Sequence, residues 1–413
     1  MWRVISQKDG TVKADESVTR RAFLDRCGQA AVLAVTGWML HPNALGAPFP
    51  TLDVPEKVFL KSWELLEELP SFFLKPGRDG NKKVLRITAS NGAVGVVPAR
   101  FCQGFSSITE GILEQTNLLE HENLYDLMVE RNVPVNELKA ADILCWDLHA
   151  RMLKKPLHGL LGTRRNRVLR YGDVRGQQLD FSPKKYAENV ARYLKANNLK
   201  ATKLHFPGAM GTKESIGLDA AKETLRIVRE ATGPDPILAW DPHPGSAESA
   251  TPSIEEAKEI LNLMAELRYT WIEGPLPPMP EEGQMPKYVE LMKTARIRVQ
   301  PEGPGPIGDG TDFKTIQRWA EAGAANQFST DVYIRDGITQ VVRLLEWAKH
   351  RPKKDITVNL HWSWLPHLHL AMACEEKVLP ILEFPMSGEV PPRYFDRQEY
   401  VLAPDWPGIY LIE

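Results

Sequence analysis

Ile237-Leu-Ala-Trp-Asp241-Pro-His243-Pro-Gly245 is a short apolar run that stops abruptly at an acid, a histidine and two prolines. Side chains two apart on a strand point the same way, so in extended geometry Asp241 and His243 emerge together. Alone, such a stretch is ordinary loop punctuation. Working outward from it, the same design recurs. Short apolar strands are expected at 167–172, 201–206, 236–241, 269–273, 296–301, 326–331, 355–360 and 379–384. Amphipathic helical patterns lie between them, at about 184–197, 213–231, 253–267, 285–295, 312–322, 337–350 and 366–376. Eight strands in strict alternation with helices predict an α/β fold, a (β/α)8-type barrel. Strand starts recur every 27 to 35 residues, the last 24 on, against roughly 31 for a barrel of about 250 residues. A doubly wound sheet would also alternate, but no GxGxxG follows an early strand.

Upstream of the barrel the texture differs. Val84-Leu-Arg-Ile-Thr-Ala-Ser-Asn91-Gly92-Ala-Val-Gly-Val-Val reads as a hairpin about an Asn-Gly turn. A helix follows over Val135 to Leu153 with Leu138, Ala141, Ile143, Leu144, Leu148 and Met152 on its apolar face. Residues 48–165 are therefore expected to form an α+β unit and 166–390 the barrel. The extended, turn-rich segment 391–413 is expected to return to the N-terminal unit.

The first 47 residues stand apart. Thr19-Arg20-Arg21-Ala22-Phe23-Leu24 precedes an apolar run, Ala30 to Leu40, and then Ala44-Leu45-Gly46-Ala47. A basic pair, a short apolar stretch and a small-residue cleavage site in that order read as an export signal. The arrangement resembles a twin-arginine signal, an address rather than an anchor, and implies a periplasmic location. The apolar run is too short to span a bilayer, so no membrane span is expected in the mature chain. The 413 residues, 43% hydrophobic and 25% charged, are ordinary for a globular protein. A net charge of −2 gives no basis for binding nucleic acid or an anionic membrane surface. The four cysteines show neither a disulfide framework nor zinc spacing.

In such a barrel the chemistry gathers at the C-terminal ends of the strands. Those ends carry Lys203 and His205, Asp241 and His243, Glu273, Glu302, Asp331, His361 and Glu383, strand by strand from the second to the eighth. Any one of them has a structural explanation, such as a helix cap or a solvated loop group. Seven successive strands each ending in an ionisable group is harder to obtain by chance. Asp241, Glu273 and Glu302, on neighbouring strands, form an all-oxygen set suited to Mg²⁺. Three such carboxylates need a cation between them to stay ionised together. A substrate carboxylate bound there would lose its α-proton more readily, the enediolate being stabilised by the metal. His361 and Asp331 suit a general base and the acid that orients it.

With these residues the sequence resembles the enolase superfamily, in its mandelate-racemase-like subgroup, from about residue 55 to 413. The hairpin above, Ala140-Ala-Asp-Ile-Leu-Cys-Trp-Asp147-Leu, Pro156-Leu-His-Gly-Leu-Leu-Gly162, Trp271-Ile-Glu273-Gly-Pro-Leu and Pro404-Asp-Trp-Pro-Gly carry the likeness through their order and spacing. The resemblance implies Asp241, Glu273 and Glu302 as Mg²⁺ ligands and His361, paired with Asp331, as the base. It implies Glu383 as a hydrogen-bond partner of the substrate carboxylate or enediolate, and Lys203 as its counter-charge. The subgroup's Lys-x-Lys strand is here Lys203-Leu-His205, which leaves His205 open as a second base or a substrate contact. Galactonate- and mannonate-dehydratase-like members carry a histidine two residues after the first metal aspartate, which implies His243 as the acid for a departing hydroxyl. Their Asp-x-His-Gly is here Asp241-Pro-His243-Pro-Gly, so an added proline re-aims that histidine. The resemblance thus implies a Mg²⁺-dependent acid-sugar dehydratase built as a modified (β/α)8 TIM barrel of (β/α)7β type, with 48–165 as an α+β capping domain that 391–413 completes. The alternatives are a racemase or epimerase using His205 and His361, and a non-catalytic acid-sugar-binding protein. A small carboxylate or acid-sugar partner and a homo-oligomer are expected. Substrate choice is expected from cap loops within 60–82 and 98–108.

Overall fold

The computed structural model describes residues 52, 56–67, 83–99, 102–176, 181–206, 217–242, 253–276, 281–301, 311–334, 337–351, 355–384, 390, 392–397 and 399–411. The export segment, His243, Glu302 and most of the expected 60–82 loop lie outside them. All the described residues fall within Ala47–Glu413, one unit of the chain, with Met1–Gly46 as the other.

Three antiparallel strands come first: β1 (Leu60–Leu66), β2 (Val84–Ala89) and β3 (Val94–Pro98), in the order β1-β2-β3. Residues 60–66, expected as loop, are thus a strand, because Leu60, Trp63 and Leu65 find ladder partners on β2. Asn91-Gly92 makes the turn between β2 and β3, and Gly92 has φ +86°. Helices α1 (Ser107–Gln115), α2 (His121–Glu130), α3 (Val135–Met152) and α4 (Leu157–Leu161) follow. Helix α3 lies tight on β3. A Cβ on Gly95 would sit 2.4 Å from the Leu144 carbonyl oxygen, so only glycine admits that approach.

Then the alternation begins: β4 (Arg167–Arg175), α5 (Pro183–Ala196), β5 (Ala201–His205), α6 (Leu218–Thr232), β6 (Ile237–Trp240), α7 (Ile254–Glu266), β7 (Trp271–Glu273), α8 (Glu281–Met292), β8 (Arg298–Gln300), α9 (Phe313–Ala322), β9 (Gln327–Thr330), α10 (Gly337–Lys349), β10 (Thr357–Leu360), α11 (Leu365–Ala373) and β11 (Ile381–Glu383). Strands β4 to β8 pair in parallel in sequence order, β9 pairs β10, and β11 returns to pair β4. Gln327 Nε2 donates to Gln300 Oε1 across β8 and β9, and the Val358 N–H donates to the Val378 carbonyl just before β11. The circuit closes as eight strands with seven intervening helices, a (β/α)7β barrel.

Local chemistry sets these boundaries. Ser182 and Ser253 cap α5 and α7, the latter as a full capping box with Glu256, and Asp312 caps α9. Helix α8 starts at Glu281, earlier than expected, with Pro286 inside it. Tyr171, Ala201, Ala239 and Trp271 fill the barrel interior, with Ile237 and Ile381 packed against them. By strand alternation the next inward positions along β4 to β7 are Asp173, Lys203, Asp241 and Glu273. The apolar plug thus gives way to charge at the C-terminal ends.

The C-terminal tail makes β12 (Phe395–Asp396) and β13 (Tyr400–Leu402), and β13 runs antiparallel to the start of β4. Beyond it, Gly408 and Ile409 exchange hydrogen bonds with Lys155, Leu157 and the Asp147 carboxylate, and Arg151 donates to the Tyr410 carbonyl. No helix among the described residues is long and apolar enough to cross a membrane.

Candidate active site

Lys203 sits at the centre of the strand ends, 3% exposed, with its ammonium 2.9 Å from Glu273 Oε2 and 3.7 Å from both Asp241 Oδ2 and Glu383 Oε2. Three carboxylates from β6, β7 and β11 thus share one cation. Burial alone would lower the lysine, but Glu273, Glu383 and Asp173 outweigh it and hold its pKa well above the usual range. Tyr171 donates to Glu383 Oε2 at 3.1 Å and is joined to Asn359 of β10. Burial and then the Glu383 charge push its phenol well up, so it stays a neutral donor.

His205 lies between two acids, Nε2 3.1 Å from Asp173 Oδ2 and Nδ1 3.2 Å from Asp241 Oδ2. Both ring nitrogens therefore lie close to carboxylates of the barrel wall. Burial opposes ionisation of Asp173, yet Lys203 and His205 bring its pKa down to about 2. Asp173 was not among the expected site residues. The reason is one of length: β4 reads as ending at 172, whereas it runs to Arg175, and the extra turn of pleat brings Asp173 inward.

On the opposite wall, His361 Nδ1 is 3.2 Å from Asp331 Oδ2. Trp364 Nε1 donates to the same oxygen at 2.9 Å, and the Tyr333 N–H donates to Oδ1 at 2.7 Å. These contacts, the His361 bond first, overcome burial and keep Asp331 below the ordinary carboxylate range. His367 has a fixed tautomer: its Nε2 accepts from the Val332 N–H and its Nδ1 donates to the Trp362 carbonyl. Asp331 thus takes its proton donation from His361 Nδ1, leaving His361 Nε2 as the basic nitrogen on a ring 28% exposed. Lys139 of α3 anchors the same turn by donating to the Tyr333 carbonyl at 2.7 Å. Trp362, between His361 and Trp364, is 37% exposed and holds φ +68°. A bulky side chain in that region costs about 1–3 kcal/mol and persists only where its surroundings enforce it.

Of the expected residues, the structure brings Lys203, His205, Asp241, Glu273 and Glu383 together, and separately pairs His361 with Asp331. Asp241 and Glu273 are each 1% exposed, on adjacent strands, and offer only hard oxygen donors; that chemistry fits a divalent cation of the Mg²⁺ type. Among the described residues no three acids, histidines or cysteines form a complete cation site. The third expected ligand, Glu302, lies outside them.

Residues 185–409, more than half of the chain, match the family described as Enolase C-terminal domain-like. The chain belongs to the enolase superfamily. Solved structures agree in fold. This enolase-superfamily chain superposes on D-glucarate dehydratase from Agrobacterium tumefaciens complexed with magnesium at a TM-score of 0.63 and 20% identity, covering 85% of this chain and 95% of that one. The 3,6-anhydro-D-galactonate cycloisomerase of Zobellia galactanivorans gives 0.60 and 18%, over 87% and 97%. A racemase from Streptomyces coelicolor A3(2) with bound magnesium gives 0.63 and 16%, over 86% and 97%. Beside the expected residues the superfamily barrel here adds Tyr171, Asp173, Asn359, Trp364 and His367. Alternation along β4 and β10 is the signal that could have found the first three; the last two come from a loop and a helix start with no periodic mark.

Proposed function

We propose that this protein is a Mg²⁺-dependent enzyme that removes the proton α to a carboxylate and expels the β-hydroxyl of a sugar acid, giving a 2-keto-3-deoxy acid. The observation that carries the reading is the His361–Asp331 pair, whose hydrogen bonding leaves Nε2 of a partly exposed imidazole as the base. Asp241 and Glu273 would hold the cation, with Glu302 as the third ligand on the sequence reading. Mg²⁺ there supplies positive charge to the substrate carboxylate as negative charge builds on it.

Lys203 offers the substrate carboxylate a fixed ammonium, and Tyr171 keeps Glu383 in place beside it. The Cα–H proton passes to His361 Nε2, and its electron pair enters the carboxylate to give an enediolate. Collapse of that pair to a Cα=Cβ double bond releases the hydroxyl, which leaves as water with a proton from His243. The enol then ketonises. Asp331 stabilises the imidazolium while it exists.

The His205 geometry favours elimination over racemisation. A racemase needs a second base on the other face of Cα, and His205 is buried with its nitrogens 3.1 and 3.2 Å from the Asp173 and Asp241 carboxylates. The test is a screen of sugar acids with Mg²⁺, read by keto-acid formation. Keto acid that disappears on chelation supports the reading. Inversion at Cα without keto acid would replace it with the racemase, and binding without either would leave a binder.

Export belongs to the same proposal: residues 1–47 route the folded chain to the periplasm. Arg20→Lys together with Arg21→Lys should keep the protein in the cytoplasm on fractionation; unchanged distribution removes the signal.

A further inference from the structure

We propose that the Trp362 indole is the platform on which the carbon chain of the substrate lies, and that it selects sugar acids of five or more carbons over short hydroxy acids. The inference rests on reading the His361 face as the proton-abstracting face and adds the group that measures chain length.

Three observations lead to it. Trp362 is one of only five large apolar side chains exposed among the described residues, and a second, Ile334, follows Asp331 on the neighbouring loop. Exposed apolar groups on both loops that carry the base and its partner are suited to contact with a ligand. Next, the Trp362 backbone lies in the left-handed region at φ +68°, where glycine would sit without strain. His367 enforces it by donating from Nδ1 to the Trp362 carbonyl at 3.1 Å while its Nε2 accepts from Val332, the residue after Asp331. The loop that fixes the base partner also fixes the indole. Third, the indole centroid is 6.0 Å from that of His361, inclined at 45°, and 6.3 Å from that of Trp364. Proton abstraction places Cα roughly 3–3.5 Å from the imidazole nitrogen. A three-carbon acid ends near that point. The fourth to sixth carbons of a longer chain can reach the indole and lay their C–H faces against it.

The test is calorimetric binding to the Mg²⁺-loaded protein of the six-carbon aldonic acids and of D- and L-glycerate. The wild type should bind at least one hexonate roughly tenfold or more tighter than either glycerate. Trp362→Gly, which relieves the backbone, should keep or raise the melting temperature and leave glycerate affinity unchanged. It should cut the hexonate preference to within about threefold. Trp362→Phe should restore most of the preference. A hexonate preference intact in Trp362→Gly overturns the proposal, as does its absence in the wild type. Lys203→Met separates the two levels. Loss of all acid binding in Lys203→Met with Trp362→Gly unaltered removes only the platform, whereas acid binding untouched in Lys203→Met removes the reading of the site itself.

Discussion

Two residues set the electrostatics of the site from opposite sides. Lys203 neutralises Asp241, Glu273 and Glu383 from inside the barrel. Replacing it by Met leaves buried carboxylates with too little positive charge, which costs about 3–5 kcal/mol. The metal-free Lys203→Met variant should melt well below the wild type, and Mg²⁺ should raise its melting temperature more than it raises that of the wild type. Equal Mg²⁺ shifts on calorimetric melting would contradict the account. Asp331 works through His361. Asp331→Asn keeps the shape and loses the charge that stabilises an imidazolium, so kcat should fall about 100-fold to 10,000-fold with KM little changed. At this scale the strand-end acids and bases were legible because each closes an apolar run. Asp173 was not, since it falls just past the expected end of β4 at 172, whereas the strand runs on to Arg175. His367 and Trp364 were not either, because their roles depend on a loop whose path no periodicity encodes.

At the scale of elements, α3 is the hub between the hairpin, the tail and the barrel. The Asp142 carboxylate accepts from the backbone N–H groups of Ile338 and Thr339 and from the Thr339 hydroxyl, closing the start of α10 from another element. Burial and the donors around it leave its pKa at about 6. Gly337, at φ +69°, is required there, because a Cβ would lie 2.5 Å from the Asp142 carboxylate. Asp142→Ala should cost about 2–3 kcal/mol in urea denaturation, a lost cap plus unsatisfied buried donors; a change under 0.5 kcal/mol would show that α10 starts without it. The barrel strands and helices were readable to within a few residues, since apolar faces recur along them and several helices carry a cap or a glycine stop. β1 escaped because its outward residues, Lys61, Ser62 and Glu64, carry no mark of the strand beside it. Asp142 and Asp147 read as polar residues on a helix. Their partners include backbone groups far along the chain, at 338–339 and 409, and sequence spacing holds no record of those.

Over the whole molecule, the tail is fastened by buried neutral histidines. His369 Nε2 donates to the Ile409 carbonyl, His158 Nε2 meets the Pro404 carbonyl, and the two rings stack at 5.5 Å. Burial, aided by His158, pushes His369 down to about 3. An unfolded chain titrates near 6.5, so between these values the unfolded state binds the extra proton. Stability is therefore full above about pH 6.5 and should fall toward pH 3, by up to about 1.4 kcal/mol per pH unit for this group. Urea midpoints unchanged from pH 7 to pH 4 would contradict that. The barrel and its chemistry could be read from repetition along the chain, whereas the fastening of the tail depends on contacts that repeat nowhere, across 40 residues for His369 and 246 for His158. The central claim is that His361 takes the α-proton. Its most direct test is deuterium entry at Cα in D₂O, followed by NMR on a bound acid lacking the β-hydroxyl, which can exchange but cannot eliminate. Exchange in the wild type and none in His361→Asn is the predicted result; exchange at an undiminished rate in His361→Asn would contradict it.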